Sequence, residues 1–239
     1  MHIEQSDFHD QLVRGLAHKM NNILSLFHGY LGLLIEDKKL DPETLDGLAR
    51  IREGAHAASE LMDRAKAFAK PSSTVWREIR LEDFLMQMTP TLESFAERGV
   101  VIHQEFEEDL PRLWVDAGRL RTAIIEIVRN ACEASPAEGV VTIRATQDLH
   151  RPRGNGDSNA AQPITWVALT VEDEGPGISE ELEEKIFQPF FSTKHKRNAM
   201  GLGLSVALGL VQQLGGVIRY EREEKKSTFR LLLPSRAAG

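Results

Sequence analysis

The spacing of apolar residues changes once along the chain, at the segment KPSS (residues 70–73). Before this segment, apolar residues recur every three or four positions, first over residues 5–37 and again from residue 41 onward. This spacing predicts two long helices joined by a short loop. After about residue 77, short runs rich in Val, Ile and Thr alternate with helical segments, which predicts strands and helices packed in layers. We therefore predict an α+β protein with a helical hairpin at residues 1–72 and a second domain at residues 73–239.

The first helix carries a seam of large apolar residues spaced alternately four and three apart, as in a coiled coil. The seam consists of Leu16, Met20, Ile23, Phe27, Tyr30 and Leu34. The second helix is predicted to begin at Asp41–Pro42, with Asp41 as its N-cap. A single hairpin cannot bury the seams of both helices, so we predict that two copies of the chain form a four-helix bundle and that the protein is a homodimer.

The second domain is predicted to be an α/β sandwich, with one mixed sheet and helices on one of its faces. Strands are predicted at residues 100–106, 140–146, 164–173, 215–223 and 227–234, and helices at residues 81–99, 116–135 and 205–216. The segment 148–163 is rich in Gly, Pro and Asn and is predicted to be a hairpin loop.

Composition restricts the functional class and the partners. The net charge of −7 disfavours nucleic acid and anionic membranes as partners, because like charges repel. The single Cys132 rules out an internal disulfide. No apolar run approaches the roughly 18–20 residues of a membrane span, and the N-terminus lacks the pattern of a signal peptide. We therefore expect a cytoplasmic protein without a membrane span or a nucleic-acid partner, whose input comes from a sensor domain or protein outside this sequence.

The helical segment IIEIVRNACEA (124–134) places Glu126 and Asn130 four residues apart, on a shared face. A carboxylate and an amide oxygen there would suit a hard cation such as Mg²⁺, which keeps several waters and bridges phosphates. The alternative is a solvated helix face without a ligand.

The segment VEDEGPGI (171–178) places Asp173 at the end of a predicted buried strand. Gly175 and Gly177 would let the backbone turn tightly and approach a flat ligand. The Asp173 carboxylate would then accept a hydrogen bond from an exocyclic amino group such as that of adenine. The alternative is an ordinary turn, because this composition favours turns.

A glycine-rich segment precedes the last predicted helix. Its residues are Gly201, Leu202, Gly203 and Leu204. Free N–H groups at a helix start bind anions, so this segment is a candidate phosphate site, and the alternative is a helix start without a ligand. The polar and basic segment just before it, 192–200, is predicted to be a lid over phosphates, with Lys194, His195 and Lys196 as charge partners.

In this order, the segments resemble the ATP-binding domain of sensor histidine kinases, within a wider family that includes gyrase-type and heat-shock-protein-90-type ATPases. RNACEA resembles the N-box, DEGPGI the G1 box, IFQPFFSTK (186–194) the F-box and MGLGLSVA the G2 box of that family. The resemblance implies ATP and Mg²⁺ as cofactors. It implies that Asn130 binds Mg²⁺, that Asp173, Gly175, Gly177, Ile178 and Thr228 lie at the adenine, that Phe187 and Phe190 support the lid, and that Lys194 and residues Gly201, Leu202, Gly203 and Leu204 lie at the phosphates.

The segment GLAHKMNN (15–22) places His18 on the side of the first helix that faces away from the seam. Asn22 shares its face, and the small residues Ser25, Gly29 and Gly32 continue the strip, which we interpret as a docking strip for a partner. The alternatives are a surface histidine and a locally weak helix.

The segment around His18 resembles the H-box of the dimerisation and histidine-phosphotransfer domain of sensor histidine kinases. The resemblance implies that His18 attacks the γ-phosphorus of ATP and passes the phosphoryl group to an aspartate of a response-regulator receiver domain. It also implies that Asn22 helps to position water when the regulator is dephosphorylated.

The sequence departs from the family pattern at several positions. Lys19 replaces the acidic residue that accepts a proton from the phosphorylated histidine. Glu126 replaces the first Asn of the N-box and resembles the gyrase-type branch, where Glu activates water, although it would equally serve as a metal ligand. Ala199 replaces a G2 glycine, and the G3 glycines are replaced by Lys225, Lys226 and Ser227.

These departures leave three functions open. The first is an ATP-dependent histidine kinase acting through His18. The second is an ATP-deficient phosphotransfer scaffold or regulator phosphatase acting through Asn22. The third is an ATPase that uses Glu126.

Overall fold

The computed structural model describes residues 5–36, 40–68, 75–148, 165–193, 201–223 and 226–235. The described residues divide into two compact units, one formed by the N-terminal helices and one by the residues from Val75 onward. No helix in these ranges combines the length and the apolar content that a membrane crossing requires.

The N-terminal unit is an α-helical hairpin of α1 (Gln5–Ile35) and α2 (Pro42–Phe68). Asp41 is the N-cap of α2, as predicted: its carboxylate accepts hydrogen bonds from the Thr44 hydroxyl at 2.6 Å and from the Thr44 N–H at 2.9 Å. These two hydrogen bonds lower the pKa of Asp41 from its ordinary value. The loop between the helices therefore ends in a well-defined helix start.

The two helices of the hairpin contact each other through small and branched apolar residues. Ala17, Leu24 and Leu31, spaced seven apart on α1, are buried together with Ala55 of α2. The six residues of the predicted seam lie on another side of α1, where they are between 43% and 68% exposed. The hairpin therefore buries a second stripe of α1 and leaves the seam at the surface.

The second unit is built on a five-stranded sheet with the strand order β2-β4-β5-β7-β6. All five predicted strands are present: β2 (Val101–Phe106), β4 (Val140–Asp148), β5 (Trp166–Asp173), β6 (Val217–Glu223) and β7 (Lys226–Pro234). Strands β2 and β4 are parallel and the other neighbours are antiparallel, so the sheet is mixed as predicted.

Helices α3 (Leu81–Glu93), α4 (Ala117–Ala134) and α5 (Gly203–Gln213) accompany this sheet. Helix α4 contacts β4, β5 and α5, and it buries an apolar stripe between them. The most deeply buried core side chains include Leu120, Ile124, Ile127, Ile143, Leu169 and Phe229. The core therefore lies between the sheet and the helices that carry the predicted motifs.

The structure contains two strands that the sequence pattern does not predict. Strands β1 (Trp76–Ile79) and β3 (Leu113–Asp116) pair antiparallel in a separate two-stranded sheet. Each has only four residues, too few for alternation to identify a strand in the sequence, and β1 is also exposed along most of its length.

Helix boundaries also differ from the predictions. Helix α3 ends at Glu93 rather than at residue 99, because the following residues form turns that lead to Gly99, with a φ of +77°. Asp116 is the N-cap of α4 rather than its first helical residue, and its carboxylate accepts the N–H groups of Gly118 and Arg119. A short 3₁₀ turn at Glu180–Leu182 precedes the F-box segment.

Candidate nucleotide-binding and phosphotransfer site

Helix α4 carries the two predicted metal-binding residues. Glu126 and Asn130 lie at the edge of the buried apolar stripe of α4, not on the solvent-exposed side of the helix. Glu126 is only 6% exposed and Asn130 is half-buried. A solvated helix face is therefore the wrong interpretation for Glu126.

The carboxylate of Glu126 lies against the start of α5. A Cβ atom at Gly203 would be 2.8 Å from Glu126 Oε2, closer than real Cβ contacts. Glu126 also forms an ion pair with Arg129, one turn further along α4. The structure thus brings the predicted metal-binding helix and the predicted phosphate-binding helix start together, and a side chain at position 203 would have to displace the Glu126 carboxylate.

Asp173 is the last residue of β5 and is 1% exposed. Its Oδ1 accepts a hydrogen bond from the Gly175 N–H at 2.8 Å. A Cβ at Gly175 would be 2.6 Å from that oxygen and 2.8 Å from the Ala134 carbonyl oxygen. The strand end and the end of α4 therefore meet at a glycine that permits the close approach.

Cys132 lies near the same carboxylate. Burial, followed by the charges of Asp173 and Glu133, raises the pKa of the Cys132 thiol to about 11. The thiol therefore stays protonated at neutral pH and is part of the packing behind Asp173.

The turn after Asp173 is held by side chains of β6. Gly177 has a φ of +74°, which favours glycine. The Ile178 N–H donates a hydrogen bond to Tyr220 Oη at 2.9 Å, and Arg222 Nη1 lies 3.5 Å from the Ile178 carbonyl oxygen. Both backbone groups of Ile178 are thus engaged by one strand.

The start of α5 has the geometry of an anion site. Gly201 has a φ of +64°, and a Cβ there would be 2.5 Å from the Phe191 carbonyl oxygen. Leu202 is buried and is the N-cap of α5, where its side chain offers no oxygen to the first N–H groups of the helix. Leu204 is half-buried in the first turn.

An aromatic group connects the F-box to the sheet. The Phe187 ring packs edge-on to Phe229 with centroids 6.4 Å apart, and Tyr220 packs against the same ring at 5.2 Å. Phe190 has a positive φ and is 74% exposed. The predicted lid residues Lys194, His195, Lys196 and Ala199 lie outside the described residues, as does Lys225.

The register of β5 and β7 places Ser227, rather than Thr228, beside Asp173. Ser227 is directly opposite Asp173 and is 4% exposed, whereas Thr228 is opposite Glu172. Because side chains alternate between the two faces of a sheet, Ser227 shares the face of Asp173 and Thr228 lies on the other face. Glu172 on that other face forms an ion pair with Lys226.

In the hairpin unit, His18 and Asn22 are both exposed. Asn22 Nδ2 lies 3.5 Å from His18 Nδ1, so the two side chains lie on one face of α1. On the same side, a Cβ at Gly29 or Gly32 would meet no atom within 4 Å. The predicted strip is therefore open to solvent.

Residues 115–237 match the protein family described as histidine kinase-, DNA gyrase B-, and HSP90-like ATPases. The chain belongs to this family. The match contains the residues of the nucleotide unit discussed above, from the start of α4 to the end of β7.

Two curated relatives extend the similarity over both units. Sensor kinase CckA of Brucella abortus is 28% identical over 225 residues, which cover 94% of this chain and 24% of CckA. Sensory histidine kinase/phosphatase NtrB of Vibrio alginolyticus is 32% identical over 225 residues, which cover 93% of this chain and 61% of NtrB. The chain thus spans less than two thirds of the length of either relative.

A solved structure shows the same fold. Full-length ShkA, determined in complex with AMPPNP, superposes with a TM-score of 0.71 at 23% identity, covering 96% of this chain and 47% of ShkA. At this identity the likeness shows the fold alone.

The residues of the site fit the nucleotide expected of a member of this ATPase family. Gly175, Gly201 and Gly203 each stand where a Cβ would overlap with neighbouring atoms, so the backbone is compact around the site. Asp173 is a buried acceptor that a base could use, and the N–H groups at the start of α5 are donors that phosphates could use. In the described ranges, no group of three His, Cys, Asp or Glu side chains is suited to hold a metal ion, so a metal here would take ligands from Asn130, Glu126, phosphates and water.

Sequence reasoning missed several residues of the site. Ser227 is identified by the register of two strands, and Tyr220 by the position of β6 beside the turn that follows Asp173. The alternation along β6 would place Tyr220 and Arg222 on one face, but which loop they contact follows only from the strand order. Arg129 had a local signal, because it is one turn from Glu126 on the same helix.

Proposed function

We propose that this chain is the catalytic core of a two-component sensor histidine kinase. It phosphorylates His18 from Mg·ATP and transfers the phosphoryl group to an aspartate of a response-regulator receiver domain. The observation that carries the proposal is the exposure of the His18 imidazole, beside Asn22, in a chain whose other unit has the geometry of a nucleotide site.

In the proposed nucleotide complex, Asp173 accepts a hydrogen bond from the adenine amino group, with Ser227 beside it. Gly175, Gly177 and Ile178 form the turn that lines the base. The phosphates are bound by the backbone at the start of α5, from Gly201 to Leu204 (Gly201, Leu202, Gly203 and Leu204). Lys194 of the predicted lid adds a positive charge. Asn130 is the first candidate ligand for Mg²⁺ and Glu126 the second, and the ion would neutralise charge on the phosphates.

In the proposed reaction, a ring nitrogen of His18 forms a bond to the γ-phosphorus while the bond from phosphorus to the β,γ-bridging oxygen breaks and ADP leaves. The chain offers Lys19 next to His18, which cannot accept a proton while charged. It would instead attract the incoming phosphate. The proton of His18 would therefore leave to water.

We propose that the chain acts as a homodimer. The large apolar residues of the α1 seam remain 43% to 68% exposed in one copy, and a second copy would cover them. The open strip of Asn22, Ser25, Gly29 and Gly32 would then dock the receiver domain, and a sensor domain or protein would supply the input.

The test is incubation with Mg²⁺ and γ-labelled ATP, comparing the wild type with His18→Ala and Lys19→Glu. We expect label that is labile in acid, stable in alkali and absent from His18→Ala. Label restored only in Lys19→Glu would mean a working nucleotide site with a disabled acceptor. If no variant is labelled, autophosphorylation is not the function of this chain.

A second candidate is dephosphorylation of the regulator, and it is favoured by the contact of Asn22 with His18. One relative has a name that includes both kinase and phosphatase. In a mixture with a phosphorylated receiver domain, Asn22→Ala would slow release of phosphate from the receiver while leaving labelling of His18 in place. Equal release by Asn22→Ala and wild type would exclude this role for Asn22.

A further inference from the structure

The carboxylate of Glu126 lies where it would promote a competing reaction. It is buried, and it contacts the first residue of α5, where the proposed function places the phosphates. A carboxylate at this place is suited to accept a proton from water attacking the γ-phosphorus. A histidine kinase gains nothing from that reaction, because phosphate released to water never reaches His18.

The partner of Glu126 explains how this reaction can be avoided. The guanidinium of Arg129 donates a hydrogen bond to Glu126 Oε2 and forms an ion pair with it. The Arg129 side chain is 24% exposed, so the pair is largely screened from water. An oxygen that already accepts a charge-assisted hydrogen bond has that acceptor position occupied and is held in place, so it is less available to an attacking water.

We propose that Arg129 is a positioning residue that holds Glu126 in an inactive arrangement and so suppresses hydrolysis of ATP. In the suppressed reaction, a water oxygen bonds to the γ-phosphorus and the bond from phosphorus to the β,γ-bridging oxygen breaks. ADP leaves with the electron pair, one proton of the water moves to Glu126, and Glu126 later returns it to solvent. The proposal rests on the nucleotide site of the proposed function, but not on phosphorylation of His18.

The placement of both residues on one helix supports a permanent restraint. Glu126 and Arg129 are three residues apart on α4, so their side chains are neighbours whatever the rest of the site does. No loop has to move for the pair to form. The suppression would therefore operate before and after nucleotide binding.

The test measures release of phosphate from ATP in a His18→Ala background, where phosphohistidine cannot contribute. We expect Arg129→Met to raise the release about tenfold or more, as part of the roughly 10²–10⁴-fold that a fully positioned general base supplies. Arg129→Lys, which keeps one charged donor, would give a smaller rise. The double variant Glu126→Gln, Arg129→Met would lose the rise and release phosphate no faster than Glu126→Gln alone.

The matched control is Arg144→Met, which removes an exposed arginine–glutamate pair with Glu105 on the sheet. It would leave the release unchanged. A rise in Arg129→Met cannot come from unfolding, since an unfolded chain has no site. Direct binding of a fluorescent ATP analogue tests the nucleotide site separately. If the starting His18→Ala protein does not bind the analogue, the proposed nucleotide site is refuted, not the role of Arg129.

A second readout needs no nucleotide. The starting protein, Glu126→Gln, Arg129→Met and the double variant form a double-mutant cycle, and thermal unfolding of the four would show that the effects of the two substitutions are coupled. Arg129→Met would lower the Tm, and adding Glu126→Gln would recover part of the loss. The proposal is overturned if nucleotide-binding Arg129→Met releases phosphate no faster than the background protein, or if the double variant releases it as fast as Arg129→Met. It is overturned equally if the cycle shows no coupling.

Discussion

At the scale of single residues, Gly175, Gly201 and Gly203 of the candidate nucleotide site each stand where a methyl group would overlap with other atoms. The overlaps involve the backbone at Gly175 and Gly201, which cannot move aside as a flexible side chain can. At Gly203 the neighbour is the carboxylate of Glu126. The site is therefore built on backbone contacts, and its shape is sensitive to a single added carbon.

We expect Gly175→Ala to weaken nucleotide binding by at least about tenfold and to lower the free energy of unfolding by roughly 1–3 kcal/mol, the usual effect of overpacking. An ideally placed Cβ at position 175 would be only 2.6 Å from Asp173 Oδ1, so it would displace that oxygen. Binding of a fluorescent ATP analogue and urea unfolding measure the two effects.

The matched control for Gly175→Ala is Gly54→Ala in α2. A Cβ at Gly54 would meet nothing within 4 Å, and alanine is about 0.8–1.0 kcal/mol better than glycine inside a helix. We therefore expect Gly54→Ala to raise stability without changing nucleotide binding. Normal binding by Gly175→Ala would show that this turn does not shape the site.

At the scale of secondary-structure elements, the end of α4 is held by one distant side chain. The guanidinium of Arg98 donates hydrogen bonds to the carbonyl oxygens of Cys132, Glu133 and Ser135, at 3.2, 3.3 and 2.9 Å. These are carbonyl groups that the helix itself leaves without partners. Arg98 thus fixes the end of the helix that carries Glu126 and Asn130.

We expect Arg98→Gly to lower the free energy of unfolding by about 1–3 kcal/mol, because the hydrogen bonds from a charged donor to the carbonyl groups at the end of α4 are lost. Glycine is used because Arg98 has a φ of +58°, so the substitution relieves backbone strain while it removes the guanidinium. Urea unfolding provides the measurement. Asp109→Gly is the control, since Asp109 is exposed and has a φ of +57°. If both variants lose the same stability, the guanidinium does not stabilise α4.

The elements differ in how well their sequence predicts them. Strands β4, β5 and β7 are eight or nine residues long and alternate strongly, so their pattern identifies them. Strand β1 has four residues and little burial, and its pairing with β3 depends on residues about forty positions away. The same distance hides Arg98 from the end of α4. Local pattern therefore predicts the elements and motifs, whereas the contacts that position the motifs depend on tertiary structure.

The placement of Thr228 illustrates the same limit. The motif STF predicts a hydroxyl near the adenine, but the pairing of β5 with β7 decides whether Ser227 or Thr228 faces Asp173. A shift of one residue moves every side chain of a strand to the other face. Only the register of the two strands resolves such a choice.

At the scale of the whole molecule, α1 has two apolar stripes with different uses. Ala17, Leu24 and Leu31 are buried against α2 within one chain. The predicted seam, which includes Ile23 and Phe27, is half exposed. Large apolar patches on a monomer mark interaction surfaces, so the seam is the surface on which the proposed homodimer depends.

We expect Ile23→Lys to weaken dimerisation at least about a hundredfold. Burying an isoleucine contributes roughly 1.5–3 kcal/mol, and the two-fold symmetry of a dimer applies each substitution twice. The change leaves the Ala17, Leu24 and Leu31 stripe intact, so each hairpin keeps its internal contacts. Sedimentation at several concentrations would show a dimer for the wild type and a monomer for Ile23→Lys.

Ser25→Lys is the matched control, because Ser25 is only two residues after Ile23. Ser25 lies on the exposed side of α1 that carries His18, outside the seam. It would remain a dimer at the same concentrations. A wild type that is monomeric throughout, or an Ile23→Lys variant that dimerises as well as Ser25→Lys, would mean that the seam is not the dimer interface. The exposed apolar stripe of α1 would then have to be covered by a different protein, and transfer of phosphate within a single chain would become the expected route.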